Sequence, residues 1–374
     1  MKTEQELHSD LPVPPGEYLK EVIDELGMTK DELARRMGRP APKLSAIFKG
    51  TKAITPDTAM QLEKVVGVPA HIWLGLESEY RLALARQAEE KQIAEETKLL
   101  TPFCYSELAK LGFVKKLSNR RDKVRELQRF FGVASLESVL DVPRYQPAFR
   151  IGKGGATSTK PRAVASWLRM GELIAQKLPC KPFDQTKLEV SLDEIRAMTI
   201  MRPEEFQEKL TKLLAECGVA LVIVPHFPGT KAHGATFWIG RDKAVLMLTI
   251  RGRWADIFWF SLFHELGHIL LHNRRQTFIE DGNTPSDLEE QEKEADAFAA
   301  DQLIPPADYE RFVKHGDFYP NSIARFASKL GIDAGIVVGR LQHDGLLPPN
   351  WGNKLRTRYT LVAPKEKSND YRHE

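Results

Sequence analysis

Residues Trp254–His272 read WADIFWFSLFHELGHILLH, and the fold turns on this stretch. Ile257, Phe258, Trp259, Phe260, Leu262, Phe263, Leu266, Ile269 and Leu270 surround the helical wheel, so the spacing predicts a helix buried on nearly every side. Within it stand two imidazoles and a carboxylate, His264-Glu265-Leu266-Gly267-His268. Positions four apart lie on one helix face, so His264 and His268 can reach a single ion. Zinc favours imidazole nitrogen and carboxylate oxygen, and a catalytic zinc keeps one position for water. Glu265, beside the first histidine, is placed to take a proton from that water and pass it to a leaving amine. The rival reading, two satisfied core histidines, leaves Glu265 unexplained, because a buried carboxylate without a partner is expensive.

A third ligand is expected downstream. The metzincin spacing would need glycine at position 271 and histidine at 274, and the chain has Leu271 and Arg274. The acidic run Glu292-Lys293-Glu294-Ala295-Asp296 opens a second helix expected over about Pro285–Ile304. Glu292 and Asp296 share a face, so one can bind metal while the other orients a ligand histidine from behind. Glu294 points about 200° away from Glu292 at 100° per residue, so both cannot be ligands; Glu292 is favoured, and Glu289, Glu290 and Glu294 read as a solvated face.

FHELGHILLH followed by ExEADAFAADQLIP resembles the ImmA/IrrE family of zinc metallopeptidases over roughly Pro203–Leu347, with Leu303-Ile304-Pro305 a slight departure from the family pattern. The resemblance implies a reduced zincin fold with a three-stranded sheet on the active-site helix. It implies Zn2+ bound by His264, His268 and Glu292, and Glu265 as general base. It also implies a protein substrate of the transcriptional-repressor kind. His272, about 80° around the helix from His264, is expected behind a ligand rather than on the metal. His226, His233, Tyr309 and His315 are the polar groups open to an oxyanion role.

Toward the amino terminus the punctuation is that of short helices. Pro15 opens one that Gly27 stops; Thr29 with Glu32 caps TKDELARRMG, which stops at Gly38; a short helix runs to Gly50; and Thr55-Pro56-Asp57 opens another that ends at Gly67. A capped helix, a turn and a short second helix make helix-turn-helix architecture. Pro14–Arg86 is similar to the HigA-type antitoxin branch of the Cro/repressor-like helix-turn-helix family, through ITPDTA, the LSxI core and Trp73-Leu74. That similarity implies operator DNA as a partner and a homodimer. Arg39-Pro40-Ala41-Pro42-Lys43 puts proline and alanine where base-reading side chains usually begin, and these offer base edges no hydrogen bond. Arg39 remains the base reader, with Lys43, Ser45, Lys49 and Lys52 set for phosphate. The alternative is a helical domain used only for dimerisation or protein contact.

Across 374 residues, 42% hydrophobic and 28% charged, the composition is that of a soluble globular protein of two or three domains. No apolar run approaches the roughly 18 residues of a membrane span, and MKTEQELHSD lacks a secretory core. Cys104, Cys180 and Cys217 are isolated, which fits reduced thiols in a cytoplasm. Net charge is only +3 but segregated: Lys30–Lys52 carries seven basic residues against two acids, Lys110–Arg169 fourteen against four, and Glu280–Asp296 eight acids against one lysine. The basic stretch reads first as an amphipathic helix with a solvated face.

The expectation is a mainly α chain with a small β-sheet (α+β). Residues 1–86 would form a five-helix helix-turn-helix domain and 87–150 a basic helical linker. Residues 151–347 would form a reduced zincin-like metallopeptidase domain with a short antiparallel sheet, and 348–374 a weakly ordered tail. The expected function is an antitoxin-type transcriptional regulator whose peptidase cleaves a regulatory protein or acts beside a cognate toxin. The rival is a non-proteolytic repressor whose zincin-like domain senses metal, stress or a toxin. A third reading has the chain cutting its own linker near Gly152–Lys160.

Overall fold

The computed structural model describes residues 11–146, 160–225, 227–230, 232–249, 254–272, 277–280 and 289–359. The proposed self-cleavage segment, His226 and most of the acidic loop before Glu289 lie outside them. Among the described residues the chain is mostly helical with one small sheet, and it divides into two compact units, Met1–Glu95 and Glu96–Glu374.

The first unit holds α1 (Pro15–Glu25), α2 (Lys30–Arg36), α3 (Ala41–Phe48), α4 (Pro56–Val66) and most of α5 (Ala70–Glu96). Thr29 accepts from the Glu32 amide at 3.2 Å and Thr55 from the Thr58 amide at 3.4 Å, as the capping signals predict. Leu19, Ile23, Leu33, Leu44, Ile47, Ile54, Leu62 and Trp73 form its core. Gly16 lets α1 lie against α3, since a Cβ there would sit 2.4 Å from the Phe48 Cα. The expected boundary after residue 86 falls inside α5. No proline interrupts that helix, and it runs unbroken to Glu96.

Of the stretch 87–150 expected as a linker, residues 96–146 belong to the second unit. They supply α6 (Tyr105–Lys110) and α7 (Arg120–Phe131), which pack into the second unit. Glu96 accepts from the Leu136 amide and the Ser135 hydroxyl, and Arg169 donates to the Phe130 carbonyl. The Arg144 guanidinium bonds Glu172 and reaches the Trp238 carbonyl. The basic α7 is amphipathic as expected, burying Val124, Leu127, Phe130 and Phe131.

The rest of this unit runs α8 (Pro161–Lys177), α9 (Gln185–Ala197), α10 (Pro203–Glu216), β1 (Val219–Val224), β2 (Gly234–Ile239), β3 (Lys243–Thr249), α11 (Ala255–Leu271), β4 (Phe278–Glu280), α12 (Glu289–Leu303), α13 (Pro306–His315), α14 (Pro320–Leu330) and α15 (Ala334–His343). The sheet differs from expectation in two respects. Its order is β1-β3-β2-β4, so it has four strands, and β1 pairs parallel with β3, so it is mixed. A turn with Gly240 at φ 67° closes the expected β2–β3 hairpin. The central α11 is buried from Phe258 to Ile269 save Phe260.

Residues 348–359 are not a loose tail. The Ala255 amide donates to the Thr357 carbonyl at 2.9 Å, and Arg356 grips Asp256 through two bonds of 3.1 and 2.6 Å. The indole of Trp259 donates to the Tyr359 hydroxyl at 2.8 Å. The first turn of α11 is thus clamped by a segment a hundred residues later in the chain.

Candidate metal centre

The helical period of α11 puts His264 and His268 one above the other, their Nε2 atoms 3.0 Å apart. From α12, Glu292 brings its carboxylate 3.2 Å from the first and 3.5 Å from the second. These three ligand atoms lie within 4.8 Å of one another, and both imidazoles are about 2% exposed. Gly267 permits the approach of α12, since a Cβ there would already stand 3.2 Å from the Ala295 Cα.

The outer ring nitrogens fix which atoms face inward. Nδ1 of His264 lies 2.9 Å from Asp296, which can only accept from it. Nδ1 of His268 lies 2.9 Å from Nδ1 of His272, whose Nε2 is 3.0 Å from Glu294. With His272 donating to Glu294 and accepting from His268, both ligand histidines carry their proton on Nδ1. Two Nε2 lone pairs and a carboxylate then converge on one point, an arrangement that repels itself unless a cation lies between them. Tetrahedral zinc with ligands at about 2.0–2.2 Å sets donor atoms roughly 3.3–3.6 Å apart, close to the 3.0, 3.2 and 3.5 Å found here, so the donor set fits that ion in chemistry, with the two imidazoles slightly closer than the ion would hold them. Burial, opposed by Glu292, lowers His268 to about 4. Burial pushes Glu292 upward; in metal-free protein, Nε2–H groups of the adjoining imidazoles donating to the carboxylate would outweigh it and hold the carboxyl at about 2.

Glu265 faces the sheet and is fully buried. The Thr236 hydroxyl on β2 donates to its carboxylate. A Cβ on Gly234 would lie 2.4 Å from Oε1, so the strand comes as close as glycine allows. Across the edge of β2, Thr236 pairs with Phe278 of β4, whose ring stacks on His268 at 4.1 Å and 12°.

His264, His268 and Glu292 thus converge on one point, Asp296 and His272 stand behind the two imidazoles, and Glu265, next along α11, faces β2. Glu294 is exposed, as expected, and its carboxylate also bonds His272. Gly234, Thr236 and Phe278 escaped sequence reasoning, since only strand pairing brings them here. Of the four polar groups open to an oxyanion role, His233 lines a cleft beside Asp296. The Tyr309 hydroxyl donates to Asp344, and His315 is exposed at the end of α13.

In the first unit Lys43, Ser45 and Lys49 are exposed on or just after α3, and Lys52 is half-buried in the following turn. Arg39, expected as the base reader, donates from Nε to the Gln61 side chain on α4 at 2.5 Å.

Comparison with known proteins agrees with this division. Residues 255–342 match the IrrE N-terminal-like domain family and residues 19–73 the helix-turn-helix family. The uncharacterized HTH-type transcriptional regulator YddM of Escherichia coli (strain K12) is 34% identical over 73 residues, 20% of this chain and 78% of that protein. Among solved structures, an addiction module antidote protein of the HigA family from Coxiella burnetii is 34% identical, spanning 23% of this chain and 94% of its own, with a TM-score of 0.21. The Pseudomonas aeruginosa antitoxin HigA with the higBA promoter is 36% identical over 23% of this chain and 95% of its own, with a TM-score of 0.22. Among the described residues no helix is long and apolar enough to cross a membrane.

Proposed function

Because the chain belongs to the helix-turn-helix family of transcriptional regulators and carries with that domain an IrrE N-terminal-like one, we propose that it is a zinc-dependent peptidase that binds operator DNA and cleaves a regulatory protein. The convergence of His264, His268 and Glu292 on one point carries this reading. His264 Nε2, His268 Nε2 and the Glu292 carboxylate would hold the ion. Bound there, zinc supplies a Lewis acid that polarises a peptide carbonyl and eases the loss of a proton from water.

The chain's own groups do the rest. Asp296 and the His272–Glu294 pair hold the two imidazoles in the tautomer that presents Nε2. Glu265 accepts the proton of the water that adds to the carbonyl carbon, then delivers it to the amide nitrogen as the C–N bond breaks. Thr236 keeps that carboxylate aimed, and burial keeps bulk water away from it. In the DNA-binding unit, α3 would enter the major groove in a homodimer, with Lys43, Ser45, Lys49 and Lys52 on phosphates. With Arg39 turned to Gln61, discrimination among operators would rest on few side chains.

The test compares cells expressing the wild type with cells expressing Glu265→Gln, sequencing new protein amino termini in each. New termini on a DNA-binding regulator that vanish in the variant, with zinc content unchanged, are expected. Identical termini in both would leave the non-proteolytic sensor as the better account.

A further inference from the structure

Glu107–Arg129, on and between α6 and α7, carries eight basic residues against three acids, a surplus of five positive charges. The acids are all engaged within the stretch: Glu107 pairs with Lys110 at 3.1 Å, Asp122 with Arg125 at 2.9 Å and Glu126 with Arg129 at 2.9 Å. At 100° per residue Arg121, Arg125 and Arg129 fall within about 80° of one another, on the side of α7 away from the buried Val124, Leu127, Phe130 and Phe131. Lys115, Lys116, Arg120, Arg121 and Arg129 are exposed and Arg125 is half-buried. The backbone under them is pinned. The Lys115 amide donates to Glu126 at 3.0 Å, the Lys115 carbonyl accepts from the Tyr105 hydroxyl at 2.7 Å, and the Arg120 guanidinium donates to the Thr97 carbonyl at 3.0 Å.

Helix stability does not account for these cations. Arg120, Arg121 and Lys123 stand in the first turn of α7, where the helix dipole disfavours positive charge. The face also lacks what other polyanions or a membrane would ask of it. Among the described residues 103–131 no aromatic ring is exposed for unpaired bases to stack on, and no large apolar side chain is exposed to enter a lipid surface. A DNA duplex asks only for cations, because it presents one negative charge per roughly 1.7 Å of its axis. In the first unit Pro40, Ala41 and Pro42 offer no polar side-chain atom and Arg39 bonds Gln61, so α3 brings few contacts of its own.

We propose that the outward face of α7 and the Lys115-Lys116 turn before it form a second DNA-contacting surface, which rests on duplex phosphates whatever the base sequence. The inference builds on the operator-binding part of the reading above and is independent of the peptidase part. It makes the second unit a contributor to affinity, with α3 left to set where along the duplex the chain stops.

The test uses the full-length protein and a fluorescent duplex of arbitrary sequence, with anisotropy reading the affinity between about 50 and 200 mM salt. Lys115→Gln with Lys116→Gln and Arg121→Gln should lower the slope of log affinity against log salt by about 3. That loss should add to the one from Lys43→Gln with Lys49→Gln. The charge-keeping variant Lys115→Arg, Lys116→Arg and Arg121→Lys should retain the wild-type slope, which separates lost charge from a damaged fold. A glutamine variant with the wild-type slope overturns the proposal, and the operator reading survives it if the α3 substitutions still weaken binding. Polyglutamate that competes as well as unlabelled duplex at equal charge overturns it too, by giving the face to an acidic protein. Wild type that fails to bind the duplex at the lowest salt defeats the operator reading, and this inference with it.

Discussion

Gly234→Ala is the substitution whose outcome the structure dictates most tightly. The new Cβ would lie 2.4 Å from Glu265 Oε1, 2.8 Å from its Cγ and 2.9 Å from its Cδ, all inside van der Waals contact. Glu265 is fully buried, and β2 is held on both edges, by β3 and β4. The carboxyl must therefore move by roughly 1 Å and gives up its bond from Thr236. A displacement of that size at a reacting group costs on the order of 100-fold in rate. None of the three ligand atoms is touched, so zinc stoichiometry should stay at one per chain. The assay follows cleavage of the regulator found by amino-terminal sequencing, with metal content measured on the same preparation. Cleavage within about twofold of wild type, in a folded variant, would refute the claim that β2 aims Glu265. Zinc lost in parallel with activity would equally refute it, by showing that the strand supports the metal centre as a whole.

Three further outcomes follow from the geometry. Asp296→Asn removes the carboxylate behind His264, and zinc affinity should fall about 10- to 100-fold in competition with a chelator; an unaltered affinity would strip Asp296 of its orienting role. In metal-free protein His268 is held at about 4 against an ordinary 6.5, so across that window the unfolded chain takes up a proton that the folded chain refuses. Stability should accordingly fall as pH drops from about 6.5 to 4, with a further loss from Glu292 below its ordinary 4.5; urea melts should show the slope between pH 6.5 and 4.5 flattened in His268→Gln. Lys43→Gln with Lys49→Gln should lower the slope of log affinity against log salt by about 2 for any duplex, whereas an unchanged slope would move the phosphate contacts elsewhere.

What was legible in the sequence was local. The facing imidazoles of α11 follow from a four-residue spacing, and the candidate carboxylate Glu292 from the face it shares with Asp296; both depend only on the helical period. The caps at Thr29 and Thr55 and the stops at Gly27, Gly38 and Gly67 are likewise nearest-neighbour chemistry. Gly234, Thr236 and Phe278 reach the site through pairing between strands separated by the whole of α11, and nothing in a strand's own alternation names its partner. Glu294 looked like solvent-facing charge because an acid on an exposed turn reads the same whether or not a histidine stands opposite. The bond from Arg39 was not legible because Gln61, on the next helix but one, carries no signal that it is an acceptor. The misplaced boundary at residue 86 has a different origin: the charge-rich α5 changes no composition where one compact unit gives way to the next.

The clamp on α11 sets an order of events during synthesis. The helix bearing both imidazoles cannot seat its first turn until Arg356, Thr357 and Tyr359 have emerged from the ribosome, whereas the core of the first unit is complete by Trp73. On the function proposed above, a nascent chain would carry its operator-binding unit well before the metal-site helix is clamped. On the same reading, premature termination between the two would yield a product that occupies DNA with no hydrolytic capacity and competes with the finished protein for the same site.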